Sequence, residues 1–221
     1  MYESHSFLLS FGILSNCHSQ VREDKVESTS VNIIDAVKNN QPVLVEKALK
    51  EGANVNTKDS NKRSLLLIAT ISGATDTAKL LVHYGADVNQ QDDKLDSPFL
   101  YAGATGQTEL VKLYLAHGAR FDIFNRYYGT ALIPASERGH VETVRLLANT
   151  KDFPVNHVNR LGWTALMEAV ILGNGGTKHQ QTVQILKDAG ADLNIPDHDG
   201  RTPLQHAKSL GFKEIVKILE S

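Results

Sequence analysis

Residues 130–147 read TALIPASERGHVETVRLL, and the fold follows from that stretch. Thr130 is placed to cap a short apolar helix that stops at Gly139. A second helix then begins, with Val144, Leu147 and Ala148 at i, i+3 and i+4, an apolar stripe on one face. The unit is a helix–turn–helix of a little over thirty residues.

The stretch has relatives along the chain. Ser64-Leu65-Leu66-Leu67-Ile68-Ala69, Ser97-Pro98-Phe99-Leu100-Tyr101-Ala102, Thr164-Ala165-Leu166-Met167-Glu168-Ala169 and Thr202-Pro203-Leu204-Gln205-His206-Ala207 align with Thr130-Ala131-Leu132-Ile133-Pro134-Ala135 at steps of 33, 33, 34 and 38 residues. A second marker agrees: Gly52, Gly85, Gly118 and Gly190 each close a second helix and precede Ala, at steps of 33, 33 and 72. Two registers with one period define an internal repeat. Ser or Thr opening each first helix supplies a cap, and Pro98 and Pro203 stand at the first helical position, where a missing N–H costs nothing.

The pattern resembles the ankyrin repeat, with its T-P-L-H-x-A first helix and its second helix ending in L-L-x-x-G-A-D-V-N. Residues 80–89, LLVHYGADVN, are the closest copy of the latter. The resemblance extends over residues 31–221 and implies an all-α ankyrin-repeat solenoid of about six units joined by β-hairpin-like fingers. The units are 30–58, 59–91, 92–124, 125–158, 159–196 and 197–221, with the first and last as polar caps that solenoids need. The family histidine is missing from its column, which holds Leu67, Leu100, Ile133, Met167 and Gln205. Apolar packing is expected in its place. Unit four lacks the terminal Gly, and unit five carries extra residues at 173–181, expected as a surface loop.

Residues 1–29 stand apart. Residues 7–14 are an apolar block of signal-peptide length, and Leu14-Ser15-Asn16-Cys17 resembles a bacterial lipobox with Cys17 as lipid acceptor. The n-region, however, has Glu3 and His5 and no Lys or Arg, and Asn16 stands where a small residue is usual. Two readings stay open: an exported or lipid-anchored protein, and a cytoplasmic one with an N-terminal tail. A polar tether, QVREDKVESTS, follows.

A single cysteine excludes an intramolecular disulfide, and a net charge of −2 gives no global attraction to nucleic acid or anionic membrane. No phosphate-cradling Gly-rich loop occurs, and no nucleophile–base constellation. His198 and His206 lack a carboxylate third ligand, so no metal and no cofactor are expected. The resemblance implies a non-enzymatic protein-binding module whose contacts come from finger tips and first helices on a concave face. There Arg126, Tyr127, Arg160, Trp163, His198 and Arg201 gather the residue types that dominate protein interfaces. Tyr101, Glu137 and Glu168 would project from adjoining first helices. Asp93, Asp96, Asp197 and Asp199 interleave with the basic residues and blunt any field toward nucleic acid. A membrane enters only through a lipid anchor at Cys17.

Overall fold

The computed structural model describes residues 32–221, so Cys17 and the leader lie outside the described residues. Twelve helices follow in six antiparallel pairs: α1 (Ile33–Lys38) with α2 (Pro42–Lys50), α3 (Leu65–Ile71) with α4 (Thr75–His83), and α5 (Pro98–Ala104) with α6 (Thr108–Ala116). Next come α7 (Leu132–Glu137) with α8 (Val141–Ala148), α9 (Ala165–Ile171) with α10 (Thr177–Asp188), and α11 (Pro203–Ser209) with α12 (Lys213–Glu220). First helices pack on first helices along the chain and second helices on second helices, which makes a two-layer solenoid. The fingers carry almost no strand. Among the described residues the one isolated antiparallel bridge pairs Lys58 with Ser64.

One apolar core runs the length of the stack, because each unit buries its stripe only against its neighbours. Leu65, Leu66, Leu81, Leu132, Leu147, Leu166 and Leu186 are fully buried, each contributing about 1.5–3 kcal/mol. The column without the family histidine is apolar and buried at Leu67, Leu100, Ile133 and Met167, as expected. Gln205 instead completes a reciprocal cap with Thr202. Two polar contacts at the core cross between units: the Tyr114 hydroxyl lies 2.7 Å from Thr70 Oγ1, and Thr108 and Thr143 share a hydrogen bond of the same length. Burial raises the Tyr114 phenol well above its ordinary pKa.

Four of the five expected caps form. The hydroxyls of Ser64, Ser97, Thr164 and Thr202 accept the third-residue N–H at 3.1–3.4 Å. Thr130, in the stretch that best displays the repeat, does not cap: α7 begins one residue late, and the buried Thr130 Oγ1 has no partner among the described residues. Pro134 is the reason. In the equivalent position Ile68, Tyr101, Glu168 and His206 donate their N–H to the carbonyl of the capping residue at 2.9–3.1 Å. Proline has no N–H to donate, so the first turn of α7 opens and its cap goes with it.

The insertion in unit five departs from a simple surface loop. Five residues, 172–176, separate α9 from α10, against three in the other pairs, and the rest lengthens the helix. α10 has 12 residues where α4 and α6 have 9. Buried His179 ties it down, with Nδ1 3.0 Å from Asn174 Oδ1 and Nε2 2.8 Å from the Glu137 carbonyl. Gly175, at φ +69°, leaves the space that the Phe212 ring fills. In unit four, Asp152 takes a left-handed conformation (φ 60°) in a turn that has one residue more.

Pro134→Ala is expected to return the N–H to the Thr130 carbonyl and recover the cap. The gain should be about 1–2 kcal/mol, read as a higher midpoint in urea unfolding at unchanged m.

Candidate functional site

Each finger is built by one side chain. Asp59, Asp92, Asn125, Asn159 and Asp197 each place Oδ1 to accept two backbone N–H groups, from the second and fourth residues on, at 2.8–3.1 Å. The backbone closes the same loop by two further bonds. Its third step has positive φ in every copy: Lys62, Leu95, Tyr128, Gly162 and Gly200. Asp and Asn suit this role because a short acceptor can reach its own following backbone. The cap residue comes immediately after, so the loop also sets where each first helix starts.

Neighbouring fingers are stitched together. The Arg160 N–H donates to the Tyr127 carbonyl at 2.9 Å, and its guanidinium to the Arg126 carbonyl at 3.2 Å. Gln91 bridges to the Phe124 carbonyl, and Lys62 pairs with Asp93 at 2.7 Å. Farther back, Asn56, Asn89 and Asn156 accept the N–H of Asp87, Arg120 and Asp192 in the following unit. Tyr128 packs with Phe124 and His157, whose rings stack at 4.4 Å and 11°.

The first helices and fingers enclose a groove of about 440 Å³. Its walls come from the finger of unit four (Asn125, Arg126, Tyr127), from α5 and α7 (Tyr101, Ile133, Pro134, Glu137), from Arg138, and from unit five (Asn159, Leu161, Glu168, Leu172). Arg126 and Tyr127 therefore share a site with Tyr101, Glu137 and Glu168. Arg126 lies with Cζ 5.1 Å from the centre of the Tyr127 ring, and its Nη1 is 3.5 Å from Asp96 Oδ2. Burial holds the Asp96 carboxyl above its ordinary pKa, and Arg126 opposes that.

The other four sequence candidates lie outside the groove lining. Arg160 is spent on the backbone of the preceding finger. Trp163 is part-buried, with its backbone N–H donating to Asn159 Oδ1. The exposed His198 lies over Gly162, where a Cβ would fall 2.6 Å from the ring. Arg201 is exposed, its backbone N–H closing the last finger on Asp197.

Glu168 is the unusual member. It is 5% exposed, a carboxylate inside an otherwise apolar buried run. Asn159 Nδ2 donates to its Oε1 at 2.8 Å. The same two positions in unit six hold His206 and Asp197, joined at 2.6 Å between Nε2 and Oδ2. The pair is thus kept and its polarity exchanged: in unit five the helix residue accepts and the finger residue donates. An aspartate at 159 would instead set two carboxylates side by side. Burial first, and then the negative charge of Glu137, push the Glu168 pKa up to about 7, against the hydrogen bond from Asn159 and the charge of Arg138. Arg138 itself donates to the Ala104 carbonyl.

Arg138 and Leu172 escape a reading of finger positions alone. The sequence signal for the groove is the column Ile68, Tyr101, Pro134, Glu168, His206, which differs in every copy although the residue that follows it is always Ala. Among the described residues, no group of three or more His, Cys, Asp or Glu is placed to hold a metal ion.

A family profile described as ankyrin repeats (3 copies) matches residues 14–92, 33–125 and 99–197. The ankyrin repeat protein YahD of Escherichia coli (strain K12) is 43% identical over 94 residues, 42% of this chain, and the match spans about half of that protein (47%). The crystal structure of an ankyrin repeat domain from Acinetobacter baumannii AYE superposes with a TM-score of 0.82 at 47% identity, covering 85% of this chain and 95% of that one. The ankyrin repeat protein EF0377 superposes with a TM-score of 0.83 at 38% identity, covering 86% and 96%.

The raised Glu168 pKa has a definite sign. Below about pH 4.5 the carboxyl is protonated folded or unfolded, and the protein keeps its full stability. As pH rises toward 7 only the unfolded chain ionises, so stability falls, and it levels off above the folded value. Glu168→Gln lacks this component. The stability of the variant relative to the parent should therefore grow by about 1–3 kcal/mol between pH 4.5 and 7.5, measured by urea unfolding across that range.

Proposed function

Because this chain belongs to the ankyrin-repeat family, we propose that it is a non-enzymatic module that binds a protein partner on the concave face. Ankyrin repeats generally mediate protein–protein interaction, and the observation that carries the finer reading is the groove between the fingers of units four and five. There Tyr127, 51% exposed, and Arg126 stand over a pocket rimmed by Leu161 and Leu172, which are 45% and 48% exposed. An exposed aromatic and an arginine beside apolar side chains is the composition of interface hot spots. Arg160, Trp163, His198 and Arg201 continue the surface along the fingers toward unit six.

The finger surface is balanced in charge. Lys62 pairs with Asp93 and Arg126 with Asp96, which argues for a protein partner and against a nucleic-acid backbone. A second reading, an exported or lipid-anchored protein that protects or positions an envelope enzyme, rests on residues 7–17 alone. It differs in compartment and not in the binding surface. Cell fractionation and the mass of the mature N-terminus separate the two.

The surface is tested by capturing partners from the native cell with the parent and with Arg126→Ala/Tyr127→Ala, then identifying them by mass spectrometry. The double variant is expected to lose at least tenfold in recovery of the specific partner, with an unchanged melting curve, since both side chains are exposed. Undiminished recovery would place the partner elsewhere.

A further inference from the structure

The groove holds charges of both signs, and they differ in how far they are already satisfied. Its two arginines are engaged, Arg126 with Asp96 and the Tyr127 ring, and Arg138 with the Ala104 carbonyl. The two glutamates are less fully satisfied. Among the described residues no hydrogen bond or ion pair reaches the Glu137 carboxylate. Glu168 uses only Oε1 there, and its Oε2 has no bond among the described residues and is not sealed from the groove. A carboxylate that is 5% exposed with one oxygen unmet is costly to keep, and a cationic donor would satisfy it. Beside it, Leu161 and Leu172 leave apolar surface exposed, suited to the methylene stem of a long side chain.

We propose that the groove receives an arginine side chain of the protein partner, its guanidinium set against Glu168 Oε2 and Glu137 and its stem along Leu161 and Leu172. Arginine fits better than lysine. Its planar fork carries donors on separate nitrogens and serves two carboxylates at once, and its weaker hydration suits a half-buried site. The proposal rests on the concave-face reading and narrows it from a surface to a residue.

Binding should depend on pH. The charged groups that act on Glu168 are Glu137 and Arg138. Of the side chains on the helices packed against α9, His179 of α10 is turned to Asn174 and the Glu137 carbonyl, and His206 of α11 is paired with Asp197. A guanidinium favours ionised Glu168, so binding releases a proton near neutrality and weakens in acid.

The test is an NMR titration of the labelled full chain with N-acetyl-arginine amide, with the lysine and glutamine amides as comparisons. At pH 8 the arginine amide should saturably move the Asn159 side-chain amide and Glu168 carboxyl signals, with Kd on the order of millimolar, as fits so small a ligand. Binding should weaken about fivefold or more at pH 5.5 and in Glu168→Gln, and about threefold in Glu137→Gln, whose part-exposed side chain can be changed without disturbing the core. The glutamine amide should leave both signals unmoved.

No saturable shift at pH 8, equal binding by Glu168→Gln, or tighter binding of the lysine amide would overturn the proposal. Partner capture separates this from the reading beneath it. Partner loss in Arg126→Ala/Tyr127→Ala together with no arginine binding removes only the pocket. A partner retained in that double variant and in Glu168→Gln removes the concave-face assignment as well.

Discussion

The structure depends on one short acceptor repeated five times. A side-chain oxygen at Asp59, Asp92, Asn125, Asn159 or Asp197 gathers two backbone N–H groups and turns the chain through a five-residue loop. Without it those donors would face solvent in an undefined turn, and the next first helix would have no fixed origin. The loop sets the cap, the cap sets the helix, and the helix sets which side chain faces back toward the finger. That last position differs in every copy: Ile68, Tyr101, Pro134, Glu168 and His206. Uniform construction thus delivers a variable residue to the same place in each unit, and Tyr101, Pro134 and Glu168 bring theirs to the groove.

The helices, their pairing and the register of the units were legible in the sequence, because period, caps and terminal glycines report the same boundaries. Thr130 was misleading for a local reason. Its hydroxyl is as good an acceptor as that of Thr164, but the cap needs the first turn closed behind it, and Pro134 withholds the N–H that closes it. The residues 173–181 looked like loop because Gly-rich sequence usually is. His179, buried between Asn174 and the Glu137 carbonyl, holds most of that stretch in an extended helix, and a single histidine in a polar run does not announce such a role.

The groove was only partly legible. Arg126 and Tyr127 were visible as finger residues of interface type, and Glu137 and Glu168 as helix residues beside them. That Arg160 is occupied by the backbone of the finger before it, and that His198 settles over Gly162, depends on distances across unit boundaries that no spacing rule supplies. The engagement of Arg126 by Asp96, against the unmet oxygen of Glu168, is likewise a matter of three-dimensional accounting.

The bonds described here fall into two sets, and the division bears on how such an array changes over evolutionary time. The finger loop, the cap and the Asn159–Glu168 and Asp197–His206 pairs each lie within one unit. The Asn56, Asn89 and Asn156 bonds, the Lys62–Asp93 pair and the Arg160 stitch each cross a boundary. A duplication that copies a whole unit carries the first set intact, so a charge inversion such as that between units five and six travels as a sealed package. The second set must be renegotiated at both new junctions. Lineages that gain or lose units should therefore inherit the interior chemistry of a unit unchanged and show their substitutions at its seams.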